Sequence, residues 1–125
     1  MATVELTNEN FTDVVHDNGI VFVDFWASWC GPCKAFAPVF EAASEQNPGI
    51  VFGKVDTKAQ FELAGSFGIR SIPTLMAFRD EILVFSQPGA IPGEALDDLI
   101  AQAEGLDMDE VRRQVELQQN APSAS

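Results

Sequence analysis

Tyrosine is absent from this 125-residue chain, histidine occurs once, cysteine occurs twice, and Lys and Arg together number 7 against 19 acidic residues. Each shortage closes off a class of function. A net charge of −12 repels phosphate backbones and anionic membranes. No cluster of basic residues with interleaved aromatics offers an exception, so neither nucleic acid nor membrane is expected as a partner. No apolar run approaches the roughly 20 residues that cross a bilayer. A structural zinc site wants four Cys or His ligands, and this chain holds three such residues, with His16 on a different expected helix from the cysteines. No metal is therefore expected. The opening "MATVELTNEN" has no basic region followed by an apolar segment, which points to the cytoplasm, where a lone cysteine pair is more often catalytic than a structural staple.

What remains is a chain of single-domain length that is 46% hydrophobic, with ten Phe and two Trp, enough for a packed core. "VEL" (4–6) reads as a short strand, and Thr7 as the cap of a helix to about His16, ended by the "NG" at 18–19. Ile20 to Trp26 is a β-branched and aromatic strand interrupted only by Asp24. A helix starts near Cys30 and runs to about Gln46, with Phe36, Val39, Phe40 and Ala43 at the 3.6-residue period and Pro32 in its first turn. "IVFGKVD" (50–56) is a third strand, followed by a short helix from about Ala59 to Phe67. "TLMAF" (74–78) and "ILVFS" (82–86) form a hairpin across "RDE", and 92–104 is a helix with Leu96, Leu99, Ile100 and Ala103 on one face. The order βαβαβαββα predicts an α/β fold with helices on both faces of a mixed sheet. Residues 1–104 make up this domain. Residues 105–125 form a C-terminal extension, expected to be partly helical or disordered, with the weakly periodic Met108, Val111 and Val115 and the disorder-like composition "QQNAPSAS".

The chemistry concentrates in "VFVDFWASWCGPC" (21–33). A Cys-x-x-Cys where a strand meets a helix inside a βαβ pattern is a redox signature. Two intervening residues let the sulfurs meet across the first helical turn as a reversible disulfide. At that position the unpaired N–H groups and the positive helix end favour a thiolate on the first cysteine. Asp24, in a stretch otherwise apolar at every position, is expected to be buried.

"VDFWASWCGPCKAFAP" (23–38) resembles the active-site segment of the thioredoxin family, and "GIRSIPTLMAF" (68–78) and "PGA" (88–90) resemble its two other active-site loops. The match covers about residues 4 to 104. It implies a five-stranded mixed sheet flanked by four helices, and a protein-disulfide reductase that acts as a monomer. Electrons would come from NADPH through thioredoxin reductase to disulfide-containing target proteins, with no bound cofactor beyond the Cys30–Cys33 couple. On this resemblance Cys30 is the exposed nucleophile and Cys33 the buried resolving thiol, with Gly31 and Pro32 as the reducing dipeptide. Asp24 lies beneath Cys33 as its proton acceptor, its pKa raised by desolvation. Lys54 moderates that carboxylate, or is an ordinary snorkelling strand lysine. Pro73 is a cis-proline facing the cysteines, and Ile72 offers its main chain to the target in a short β-augmentation. Trp29, Gly89 and Ala90 complete an apolar contact surface, while Trp26 packs against the active-site loop.

Two residues depart from the family pattern: Glu81 stands where Gly is common in the hairpin turn, leaving the turn type open, and Ser71 replaces the Gly before "IPT". Rival readings are a disulfide oxidase or isomerase, disfavoured by the uncharged Gly-Pro between the cysteines, and a redox-independent interaction subunit or holdase using the surface around Trp29 and Pro73.

Overall fold

A strand that is apolar on both faces is stable only where both are covered, and Ile20–Trp26 sits in such a place. The computed structural model describes residues 2–120. Among them the strands are β1 (Thr3–Glu5), β2 (Ile20–Trp26), β3 (Val51–Asp56), β4 (Thr74–Arg79) and β5 (Ile82–Pro88). They form one sheet in the order β1-β3-β2-β4-β5, with β2 at its centre. β3 is parallel to β1 and β2, and β4 is antiparallel to β2 and β5, which is the expected mixed sheet. The helices are α1 (Phe11–Asp17), α2 (Gly31–Gln46), α3 (Phe61–Ser66), α4 (Gly93–Glu104) and α5 (Met108–Asn120).

Strand side chains alternate between faces, and each face has its own core. Phe22, Phe52, Leu75 and Ala77 point to one side, where Phe36 and Phe40 of α2 and Leu96 and Ile100 of α4 cover them. Val21, Val23, Phe25, Val55, Met76 and Phe78 point to the other, under Phe11 and Val15 of α1 and Ala64 of α3. β3 passes so close to the chain after β1 that a Cβ built on Gly53 would overlap the fully buried Leu6 side chain. α2 runs on through Pro38 although that residue removes an amide donor from the helix.

Three local features go beyond or depart from expectation. α1 begins at Phe11, because Thr7 first closes a reciprocal turn: Thr7 N–H donates to Asn10 Oδ1 at 2.7 Å, and Asn10 N–H donates to Thr7 Oγ1 at 3.2 Å. The C-terminal segment carries a fifth, 13-residue helix, so Gln118 to Asn120 are helical; residues 121–125, the rest of the expected disordered end, lie outside the described residues. That helix is tied back to the β4–β5 hairpin. Arg79 Nη1 donates to the carbonyls of Ala103, Glu104 and Leu106 at 2.8–3.0 Å, Arg112 pairs with Asp80 at 2.8 Å, and Met108 is buried. The third feature is the turn of the expected hairpin, whose type the sequence left open. Asp80 and Glu81 have φ of 51° and 71°, the φ pattern of a type I′ turn, which matches the twist of the flanking strands.

Glutamate is poorly suited to the left-handed region, and its exposed contact with His16 (Nδ1 to Oε1, 2.6 Å) recovers little. Glu81→Gly is therefore expected to stabilise the fold by about 0.5 kcal/mol, the relief of roughly 1 kcal/mol of strain less the entropy of glycine. Thermal unfolding at about pH 9, which takes the His16 charge out of the comparison, should show a midpoint raised by a few degrees.

Candidate functional site

The central strand β2 ends at Trp26, and the chain turns through Ala27, Ser28 and Trp29 into α2. Cys30 occupies the N-cap of that helix, its backbone extended, and its Sγ accepts the Cys33 N–H at 3.2 Å. Cys30 and Cys33 are joined as a disulfide that closes the first turn, with Gly31 and Pro32 exposed between them. The nucleophile expected to be exposed is largely covered in this oxidised form: Cys30 is 6% exposed and Cys33 2%. The cover comes from the partner sulfur and from the Ile72 carbonyl, whose oxygen lies 3.7 Å from Cys30 Sγ.

The other two loops arrive from β4 and β5. The Ile72–Pro73 peptide is cis, and Ile72 packs with Ala27, Cys30 and Cys33. Gly89, at φ 95°, donates its N–H to the Pro73 carbonyl at 2.8 Å, which brings the loop containing Gly89 and the exposed Ala90 to Pro73. Ser71, the departure next to Ile72, accepts the Thr74 hydroxyl on its carbonyl at 2.6 Å and leaves its own side chain exposed. Trp29 is 72% exposed, the surface position expected of it. Trp26 is half-buried and forms, with Ala27, Cys33, Lys34 and Lys54, the wall of a cleft of about 250 Å³.

Asp24 lies two residues from Phe22 and Trp26 along β2, so it shares their face of the sheet, the one covered by α2, which carries Cys33. It is fully buried, and neither carboxylate oxygen has a hydrogen-bond partner among the described residues. Lys54 is its register partner on β3 and lies on the same face, with Nζ 5.0 Å from the Trp26 ring centroid. Burial pushes the Asp24 pKa up to about 7, against the Lys54 charge, which pulls it down. Desolvation is the larger of the two effects. Lys54 places its ammonium over the Trp26 ring, and its charge opposes the effect of burial on Asp24.

Sequence reasoning missed the exposed Phe61 and the position of Arg70, which share a second cleft with Trp29 and Ile72. Phe61 precedes the buried Ala64 by three residues and so shares its side of α3, which left no signal in the helical pattern that it would be exposed. Among the described residues no group of three or more Cys, His, Asp or Glu is placed to hold a metal ion, and no helix is long and apolar enough to cross a membrane.

The raised Asp24 pKa sets a sign for stability. Between about pH 4 and 7 the folded state holds a proton that the unfolded state has lost, so stability falls as pH rises through that window. The shift from 3.8 to about 7 corresponds to about 4 kcal/mol of cost, complete above pH 7. Asp24→Asn is expected to be more stable than the parent by about 2–4 kcal/mol at pH 8, with the difference shrinking toward zero near pH 4. Urea unfolding across that range checks it.

Comparison with known proteins agrees with this geometry. The family model described as Thioredoxin matches residues 2–102. The chain is 64% identical over 118 residues to a putative thioredoxin 2 of Streptomyces coelicolor, covering 94% of this chain and 88% of that one. It is 41% identical over 101 residues to a thioredoxin of Bacillus subtilis, covering 80% and 96%. Among solved structures, a mutant thioredoxin from Halobacterium salinarum superposes with a TM-score of 0.78 at 35% identity, covering 83% of this chain and 92% of that one. With a redox-active cysteine pair at the head of α2 and this fold around it, the chain belongs to the thioredoxin family and is a disulfide oxidoreductase working by dithiol–disulfide exchange through Cys30 and Cys33.

Proposed function

We propose that this exchange runs in the reducing direction, on disulfides of target proteins in the cytoplasm, with the protein acting as a monomer. The observation that carries the reading is the disulfide at the N-cap of α2 with only Gly31 and Pro32 between its cysteines. A cation in that dipeptide would stabilise the thiolate and favour the reduced protein, making the couple oxidising. None is present, so the couple donates electrons.

In the reduced protein the helix N-terminus favours the Cys30 thiolate. That thiolate attacks a target sulfur, forming a Cys30–target bond and expelling the second target sulfur as a thiolate. Cys33 then gives its proton to Asp24, and its sulfur attacks Cys30 Sγ. The Cys30–Cys33 bond forms as the Cys30–target bond breaks, and the target's first sulfur leaves as a thiolate, so the target departs reduced by two electrons. A carboxylate with a pKa of about 7 is half ionised at neutral pH and is therefore a usable acceptor. Lys54 keeps part of it ionised against the desolvation. The Ile72 main chain, beside Cys30 Sγ, pairs with the target backbone, while Trp29, Pro73, Gly89 and Ala90 form the surface on which the target rests. Thioredoxin reductase, drawing on NADPH, returns two electrons to the disulfide. A redox-independent holdase is not favoured, since the cysteines are paired and placed for exchange.

Equilibration of the Cys30–Cys33 couple with thiol buffers of known poise tests the direction. The expected potential lies below roughly −220 to −260 mV, the cytosolic glutathione range, whereas a value near about −120 mV would make the protein an oxidant and overturn the reading.

A further inference from the structure

Exchange requires a target sulfur in contact with Cys30 Sγ, so the target chain on one side of its cysteine must lie across the neighbouring surface. That surface is not flat. A cleft of about 330 Å³ leads from Trp29 and Ile72, the residues beside the disulfide, to Phe61, Ile69 and Arg70. Its two aromatics are unusually bare: Trp29 is 72% exposed and Phe61 68%. The other large apolar side chains described as exposed, Val4, Leu83 and Leu117, belong to β1, β5 and α5.

Charge sets this region apart as well. The chain carries 19 acidic residues, yet none falls within 25–40, 66–79 or 82–93, the three segments that converge on the disulfide. No residue lining the cleft is acidic. The acids that approach it in sequence are Asp56, whose Oδ1 is occupied by the Lys58 and Ala59 N–H groups, and Glu62, next to Phe61 on α3. Arg79, Arg112 and Arg113 are all engaged by carbonyls or carboxylates. Arg70 is exposed and, among the described residues, makes no ion pair and donates no side-chain hydrogen bond.

We propose that this cleft is a specificity subsite for target segments that carry a large apolar residue and an acidic residue beside the reactive cysteine. The apolar side chain packs between Trp29 and Phe61, and the carboxylate pairs with Arg70. The proposal rests on the exchange reading and deepens it by naming the sequence class it serves. Lys34 and Lys58 are exposed as well, but Arg70 is the basic residue that lines this cleft, so in a chain of net charge −12 it orients an acidic segment there. Within a Debye length of about 8–10 Å the local pairing outweighs the distant charges.

The test uses the full-length reduced protein and cyclic peptide disulfides with identical rings that differ only in the flanking dipeptide: Leu-Asp, Leu-Lys or Ser-Asp. The parent protein should reduce the Leu-Asp peptide about tenfold faster in kcat/KM than the Leu-Lys peptide at low salt, with the ratio shrinking as salt rises. Arg70→Glu should bring that ratio below one. Phe61→Ala should remove the advantage of Leu-Asp over Ser-Asp. Both side chains are exposed, and each readout is a ratio within one variant, so a change in overall activity does not mimic the effect. Ratios within twofold in the parent, or unchanged in Arg70→Glu, overturn the subsite. Reduction of 2-hydroxyethyl disulfide, which is neutral and has no flanking chain, separates the two failures. If the parent reduces it but ignores the flanks, only the subsite falls; if the parent cannot reduce it, the exchange reading falls too.

Discussion

A carboxyl group in the middle of the central strand, out of water and without a hydrogen-bond partner among the described residues, is the constraint around which this protein is arranged. Placing Asp24 there is costly, and a neutral side chain of the same shape would make the fold more stable at neutral pH. The cost is accommodated because the rest of β2 is covered on both faces by apolar side chains from four helices and the neighbouring strands. One charge, Lys54, is held on the same face by the adjacent strand and by the Trp26 ring. Without the lysine the carboxyl would be driven further toward its neutral form. Without the burial it would be an ordinary acid, fully ionised and a weak base at neutral pH.

The reactive end of the sheet follows from chain direction. β2 delivers the cysteines to the head of α2, where unpaired amides and the helix dipole act on Cys30. β4 runs antiparallel beside β2, so Ile72 and Pro73, at its start, lie at the same end as the cysteines. β5 returns to that end, where the Gly89 N–H bonds to Pro73. Three segments far apart in sequence thus share one rim, and all three are free of acidic residues in a strongly acidic chain. The reaction needs a thiolate to form and a partner chain to settle there, and fixed negative charge would oppose the first.

Local patterns were legible in the sequence where the physics is local. The apolar run 20–26, the helical period of 36–43 and the Cys-Gly-Pro-Cys spacing each depend on neighbours along the chain, and the corresponding elements formed within a few residues of expectation. Asp24 was legible as buried because everything around it was apolar. Features that depend on distant partners were not. Nothing near Arg79 in sequence announces that its guanidinium will hold the carbonyls of Ala103, Glu104 and Leu106. The segment that follows, tied to the hairpin by Arg112 and Asp80, has only a weak apolar face and therefore read as partly helical or disordered. The left-handed Glu81 was equally hidden, since strand pairing imposed the turn on a residue that would not choose it. Phe61 was absorbed into a helix pattern, and only its exposure reveals it as something else.

The claim that Asp24 takes the proton of Cys33 is tested most directly by the rate at which a mixed disulfide on Cys30 is resolved, followed against pH in the parent protein and in Asp24→Asn. If Asp24 is the acceptor, the parent rate rises through about pH 7, where this carboxyl titrates. The variant is then roughly tenfold slower at neutrality, at or below the low end of general-base effects because solvent bases substitute in part. Superimposable profiles for the two proteins would contradict the account and leave Asp24 a buried charge without a task.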